Sequence, residues 1–345
     1  MALAERTLDL VNIPSESGRE LEMYSYITSV VPLDQAYSDG ESVIFAQRSG
    51  KPLVLLAGHT DTVPAQGNLP GTIDDGSVVG LGASDMKGGL AVMIELARWA
   101  AETELAYDLA LLFFPREELG PDVNPLPGIF ERTGLVDEAQ LVICLEPTDN
   151  TLQLGCLGNL VARVVFEGKS AHSARPWLGV NAIRLAFDGL RHVLEAAPRD
   201  VEIQGLVFRE VISVTQLRAG IASNVIPARA EATLNFRYAP DRTPDAAVNR
   251  VRELVGMDVE ILANSPPAHV ALNSPLVDRL RAVGEFDVQP KQAWTNVADF
   301  AARGLDAVNL GPGATRYAHA VDERVEIAEL ERTYDALQRF LMGSV

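Results

Sequence analysis

Cysteine is nearly absent. Only Cys144 and Cys156 occur in 345 residues, and neither belongs to a C-x-x-C motif. A chain of this length with two such residues has no disulfide framework, and both read as small buried hydrophobes. Long apolar runs are missing as well: no stretch reaches the ~20 residues needed to span a bilayer. The opening MALAERTLDLVNIPSESGRE carries acids early and lacks the pattern of a secretory signal. A soluble, cytoplasmic protein without a membrane partner is expected. Basic residues are outnumbered, with 29 Lys and Arg against 47 Asp and Glu and a net charge of -18. Phosphate binding wants a basic face, so no nucleic-acid or anionic-membrane partner is expected. The excess acid reads chiefly as a solvated surface, with a smaller share of carboxylates gathered around cations. Internal repeats and low-complexity tracts are also lacking.

What is present is a core-forming chain, 47% hydrophobic and 22% charged, of a length suited to two domains. PLVLLAGH (52–59), DLALLFFP (108–115), QLVICLE (140–146) and DAVNLG (306–311) are continuous apolar runs that predict buried strands, and KGGLAVMIELARWAAE (87–102) has helical periodicity. Runs of this kind separated by helices predict an α/β fold, a mostly parallel sheet with helices on both faces. The middle differs. NLVARVVFEG (159–168) alternates, GVNAIRLAFDGLRHVLEAA (179–197) is helical, and EVISVTQLRAG (210–220) and ARAEATLNFRYAP (228–240) are strands. TPDAAVNRVRELVG (243–256) is a capped helix and DVEIL (258–262) a last strand. The order β-α-β-β-α-β predicts an inserted ferredoxin-like α+β domain. The proline-rich NSPPAHVALNSP (264–275) returns the chain to the first domain, with helices near 274–283 and 326–342. The expected boundaries are 1–156 with 267–345 for the discontinuous catalytic domain, and 157–266 for the insert.

Each buried run of the large domain ends on metal-capable or proton-transferring side chains. GHTDTVP supplies His59 and Asp61; VVGLGAS precedes Asp85; LALLFFP leads into Arg116, Glu117 and Glu118; LVICL ends on Glu146; and RYAHAVDE holds His319. In open α/β sheets, ligands bind outside the carboxyl ends of the strands, so these residues are placed to converge. Each alone has a plain structural reading: a hydrogen-bonded histidine, a solvated glutamate turn, Asp85 as a helix N-cap, Glu146 as a strand terminator. Five strand ends of this character together fit chance poorly. Two histidines and three carboxylates form an N/O set suited to zinc or a similar divalent ion. GLGASD (80–85) begins like a dinucleotide fingerprint, but Asp85 puts negative charge where pyrophosphate would approach. DMKGG is not a P-loop, because no Ser or Thr follows Lys87.

Together GHTDTVP, GLGASDMKGG, PREELG, CLEPT, GKSAHSARPWLGVNAI and AHAVDE resemble the dinuclear zinc amidohydrolases over nearly the whole chain. That family includes succinyl-diaminopimelate desuccinylase, acetylornithine deacetylase, aminoacylase and glutamate carboxypeptidase. The resemblance implies two zinc ions per subunit, with cobalt or manganese as substitutes. His59 and Glu146 would bind one ion, Glu118 and His319 the other, and Asp85 would bridge them. Asp61 would orient His59 through its far nitrogen, and Glu117 would be the general base. His172 would reach the partner subunit's active site and stabilise the oxyanion. The insert would then be a dimerisation and lid domain in a homodimer. Its exposed sheet edge is of the kind proteins usually cover. Leu81 stands where relatives often have arginine, which leaves the metal set untouched.

Within the family, LEPTDN, AHSARPWLGVNAI, AWTNVADF and AHAVDERV look most like the desuccinylases of the lysine pathway. The substrate implied is an N-acyl amino acid, N-succinyl-LL-2,6-diaminopimelate, cleaved to succinate and diaminopimelate. Its carboxylates call for cations; Arg175, Arg237 and Arg316 are candidates, with uncharged hydrogen bonds from Asn224 and Thr295. The nearest rival is acetylornithine deacetylase or a related aminoacylase or carboxypeptidase, which needs fewer cations. A non-catalytic metal or ligand-binding protein is the alternative of another class, and the retention of Glu117 argues against it.

Overall fold

The computed structural model describes residues 3–343. Two compact units divide the chain: one runs to Gly155 and resumes over Ala271–Gln289 and from Asp299 onward, the other comprises Cys156–Val270 and Pro290–Ala298. The segment 290–298 therefore goes with the second unit and not with the catalytic domain of the sequence-derived boundaries. The reason is local. The Gln292 side chain imitates a strand neighbour, accepting from the Arg209 N–H at 3.0 Å and donating to the Val207 carbonyl at 2.8 Å. Trp294 donates its indole N–H to the Pro266 carbonyl at 3.2 Å.

In the first unit, the strand Leu53–His59 is buried along its whole length. It lies between two parallel neighbours, Asp108–Phe114 and Ala139–Cys144, with Leu56 opposite both Leu111 and Ile143. Ala307–Asn309 continues the parallel order beside Ala139–Cys144. Strands buried on both faces have no polar side to alternate with, which explains the unbroken apolar runs. The margins are antiparallel: Val43–Gln47 and Asp34–Ser38 on one side, Leu152–Cys156 on the other.

Helices Leu3–Val11, Gly88–Ala100, Pro275–Gly284 and Ile327–Leu341 pack together as one group. A separate pair, Leu126–Arg132 and Val297–Ala302, meets through Phe130 and Phe300, whose ring centroids are 5.3 Å apart. Gly89 shows how closely the long helix approaches the sheet, since a Cβ there would stand 2.4 Å from the Leu145 carbonyl oxygen. That carbonyl immediately precedes Glu146, so the close packing helps fix one of the candidate ligands. No helix among the described residues is long and apolar enough to cross a membrane.

The second unit holds an antiparallel five-stranded sheet in the order Arg199–Ile203, Leu206–Ala219, Arg229–Tyr238, Gly158–Glu167, Glu260–Ser265. Leu160, Ala162, Val164 and Phe166 alternate inward with Leu234 and Phe236 against helices Ala182–Leu194 and Pro244–Val255. The second helix is capped as its sequence implies. Thr243 accepts the Ala246 N–H at 3.2 Å, and Gly256 ends it at φ 72°. The sequence pattern missed the strand Arg199–Ile203. It is joined to its neighbour by Gln204 and Gly205, both at positive φ, a tight turn without the usual Asn or Asp in first place.

Candidate metal centre

His59 ends its strand with almost no exposure (1%). Its Nε2 stands 3.1 Å from Asp85 Oδ1. Its Nδ1 faces Asp61, at 3.1 Å from the carbonyl and 3.4 Å from Oδ1. Two oxygens around Nδ1 keep a proton there, so Nε2 is the nitrogen that would offer a lone pair to an ion. Asp85 turns its other oxygen toward His319, with Oδ2 3.6 Å from His319 Nε2. The same His319 nitrogen lies 2.9 Å from Glu118 Oε1. The sequence-predicted Asp85 thus spans two histidines with its two oxygens, and the N-cap position of the following helix falls to Lys87.

Three overlapping groups have donor atoms within 4.8 Å of one another: His59, Asp85 and Glu146; His59, Glu117 and Glu118; Asp85, Glu118 and His319. Ligand atoms about 2.1 Å from one tetrahedral zinc ion lie roughly 3.4 Å apart. His59 Nε2 to Asp85 Oδ1 at 3.1 Å and His319 Nε2 to Asp85 Oδ2 at 3.6 Å stand close to that spacing, and the mixed imidazole and carboxylate donors suit a divalent zinc-like ion. The residues present therefore fit a pair of ions that share Asp85.

Local backbone geometry explains how adjacent Glu117 and Glu118 both reach the centre. Arg116, the residue before them, is in the left-handed region at φ 63°, a conformation that costs a non-glycine residue about 1 kcal/mol. The turn aims two successive backbone N–H groups at one carboxylate. Asp61 Oδ1 accepts the Glu117 N–H at 3.0 Å, and Oδ2 accepts the Glu118 N–H at 3.1 Å. Ser17 adds its hydroxyl to Oδ2 at 2.7 Å. Sequence reasoning gave Asp61 only to His59 and overlooked Ser17. The usable signal was NIPSESG, a polar turn between two helical segments.

The electrostatics follow from burial and crowding. Burial pushes the Glu117 carboxyl well above its ordinary value; cationic His59 opposes this, while Glu146, Asp85 and Glu118 reinforce it. Glu118 is raised by burial and then by Asp85. Burial pulls His59 down, but Asp61 and Asp85 outweigh it and hold the imidazole well above its usual range. Asp61 goes the other way. Burial raises it, yet His59, Ser17 and the Glu117 N–H hold it below the ordinary aspartate value.

The remaining predicted residues, Arg316 excepted, belong to the second unit. His172 and Asn224 are brought together, because His172 pairs with Val225 and the Ser173 N–H donates to the Asn224 carbonyl at 2.9 Å. His172 is exposed, and its Nδ1 accepts the Ala174 N–H at 3.0 Å, which leaves Nε2 as the proton-bearing nitrogen. Arg175 is exposed in the turn that follows. Arg237 is half-buried on the sheet face away from the helices, and its Nε donates to Asn235 Oδ1 at 3.0 Å. Burial lowers its guanidinium from the ordinary value, and no carboxylate pairs with it among the described residues. Thr295 is buried (4% exposed) in the segment 290–298. Arg316, in the first unit, is occupied: it pairs with Asp149 at 3.0 Å and covers the Tyr317 ring.

The fold and this centre define a metallopeptidase-type hydrolase, and comparison with known proteins agrees. The chain belongs to peptidase family M20/M25/M40, whose family model matches residues 55–343. It is 35% identical over 352 residues to succinyl-diaminopimelate desuccinylase of Corynebacterium glutamicum, with 97% of this chain and 95% of that protein covered. A Mycobacterium tuberculosis protein, given the same name provisionally, is 37% identical over 347 residues, with 98% of each chain covered. Among solved structures, the aminopeptidase PepT of Bacillus cereus shares the fold, at a TM-score of 0.78 and 19% identity, covering 99% of this chain and 97% of that one.

Proposed function

We propose that the chain hydrolyses the amide of N-succinyl-LL-2,6-diaminopimelate, releasing succinate and diaminopimelate, with two zinc ions in the centre. The observation that carries the hydrolase reading is Asp85 standing between His59 and His319, with Glu117 beside the donor groups. His59 and Glu146 hold one ion and Glu118 and His319 the other, with Asp85 common to both. When bound, the ions polarise the scissile carbonyl and acidify water. Glu117 takes a proton from the attacking water and passes it to the departing amine, a role that suits a buried carboxyl held above its usual range. Asp61 keeps the His59 ring in its tautomer and holds the turn that carries Glu117. His172 of the partner subunit donates from Nε2 to the oxygen that gains negative charge. The exposed Trp177, Leu178, Ile183, Phe187 and Leu194 of the second unit support a homodimer.

The succinyl group is supported by the names of the two relatives and by Arg237, a half-buried guanidinium without a carboxylate partner. Arg237 takes the carboxylate of the succinyl arm; Arg175, Asn224 and Thr295 supply further hydrogen bonds to the substrate. The test is an acyl panel. Zinc-loaded protein is assayed on N-succinyl-diaminopimelate, N-succinyl-ornithine, N-acetylornithine and short peptides. Preference for the first in kcat/KM supports the reading; turnover of acetylornithine or peptides alone overturns it.

A further inference from the structure

Glu323 lies four residues beyond His319, in the motif AHAVDE, and the reaction described above gives it no part. It is buried, at 1% exposure. Its Oε2 accepts the Gly82 N–H at 2.8 Å, and its Oε1 accepts those of Ser84 at 3.1 Å and Asp85 at 3.0 Å. Its own carbonyl accepts the Gly80 N–H at 2.9 Å. Residue 323 is therefore fastened to the whole segment 80–85, which ends on Asp85. Lys87, equally buried, lies in the same loop region and donates its ammonium to the Ile13 carbonyl at 2.9 Å. A carboxylate taken out of water is tolerated only with such compensation. Here the backbone of a single loop supplies most of it.

The two donor groups are not anchored alike. His59 ends a strand, Glu146 follows the end of the adjacent strand by two residues, and they are 1% and 7% exposed. His319 sits in a loop at φ 61°, its side chain 52% exposed. Apart from Glu323, that loop is tied back mainly by Gln66, whose Nε2 donates to the His319 carbonyl at 2.9 Å.

We infer that Glu323 is a positioning residue: it holds the Asp85 loop and the His319 loop in register, and so sets the affinity of the ion that Asp85, Glu118 and His319 share. The inference rests on the dinuclear reading proposed above. Loss of Glu323 falls chiefly on that ion, because the other keeps His59, which ends a buried strand, and buried Glu146.

The experiment is a zinc titration of metal-free protein by calorimetry, with bound metal counted after dialysis. It compares wild type, Glu323→Gln and Glu323→Gln/Lys87→Met. Glutamine keeps the size but turns an amide N–H₂ toward a backbone N–H. The ion shared by Asp85, Glu118 and His319 is expected to weaken by roughly 10- to 100-fold, the usual effect of removing a group that orients ligands, while the other, which also uses Asp85, weakens less. The double variant removes the uncompensated Lys87 charge, so it regains thermal stability but not the affinity of the weakened ion. Two ions at wild-type affinity in Glu323→Gln overturn the inference. So does equal weakening of the two ions, or recovery of full affinity in the double variant, which would make charge balance the cause. Fewer than two ions in wild type overturns the dinuclear reading itself, and the inference with it.

Discussion

The carboxylate of Asp61 accepts the backbone N–H of Glu117 at 3.0 Å, while the same oxygen stands 3.4 Å from His59 Nδ1. One side chain thus orients a candidate ligand and holds the turn that carries the candidate base. Asp61→Asn preserves shape but offers an N–H₂ where two N–H groups and an imidazole N–H need acceptors. A loss of roughly 10- to 100-fold in kcat is expected, in the range seen for groups that orient ligands, with Ser17→Ala causing a smaller loss. An Asp61→Asn enzyme with wild-type kcat would remove the double role.

Adjacent glutamates give a sharper separation. Glu117→Gln removes a proton acceptor and is expected to lower kcat by roughly 10²- to 10⁴-fold, with two ions still bound by elemental analysis. Glu118→Gln is expected to shed one ion. The opposite pattern, metal lost from Glu117→Gln and kept in Glu118→Gln, would exchange their roles. The grouping of Glu117 with His59 and Glu118 makes this comparison worth running.

Shared active sites in a dimer predict complementation. His172→Ala and Glu117→Gln proteins, each nearly inactive, are mixed and allowed to exchange subunits. A mixed dimer then holds one intact site of two, so activity is expected to rise toward half that of wild type per mixed dimer. Exchange demonstrated by mass spectrometry without recovered activity would confine His172 to its own chain.

Stability of the second unit carries a pH signature. Glu210 is buried at 6% exposure and meets Arg199 at 2.9 Å and Arg242 at 2.7 Å. Burial raises its pKa, but the two arginines outweigh burial and hold it below the ordinary 4.5. A carboxylate depressed on folding contributes stability above its unfolded pKa and loses it as pH falls through the folded value. Glu210→Gln also takes the carboxylate from partly buried Arg242, while Arg199 keeps Asp241 at 2.9 Å. A destabilisation of about 3 kcal/mol is expected at neutral pH, shrinking as the solution is acidified below the glutamate range. Urea denaturation of both proteins at pH 7 and pH 3.5 measures it; a difference independent of pH would dismiss the ionic origin.

The parallel strands were legible because burial on both faces leaves continuous apolar runs: PLVLLAGH became Leu53–His59 and DAVNLG became Ala307–Asn309. Helix ends were legible where side chains mark them, as Thr243 does. The candidate ligands were legible because strand ends in an α/β sheet point to one edge. Ser17 and Glu323 were not, since both act through contacts across long sequence separations, Glu323 chiefly on backbone N–H groups, which leave no trace in residue type. The place of 290–298 was hidden for a similar reason, as one glutamine side chain substitutes for a strand.

Asp85 gives one oxygen to each histidine, so whatever ions occupy the centre share a single anion. Occupancy on one side redistributes that carboxylate's charge and fixes its torsion, and both effects are felt on the other side. Linkage makes the influence reciprocal: the factor by which the first ion alters the second's affinity equals the factor in return. Loading of the proposed pair would therefore be one coupled isotherm, and the order in which chelation strips the ions would be a property of the pair.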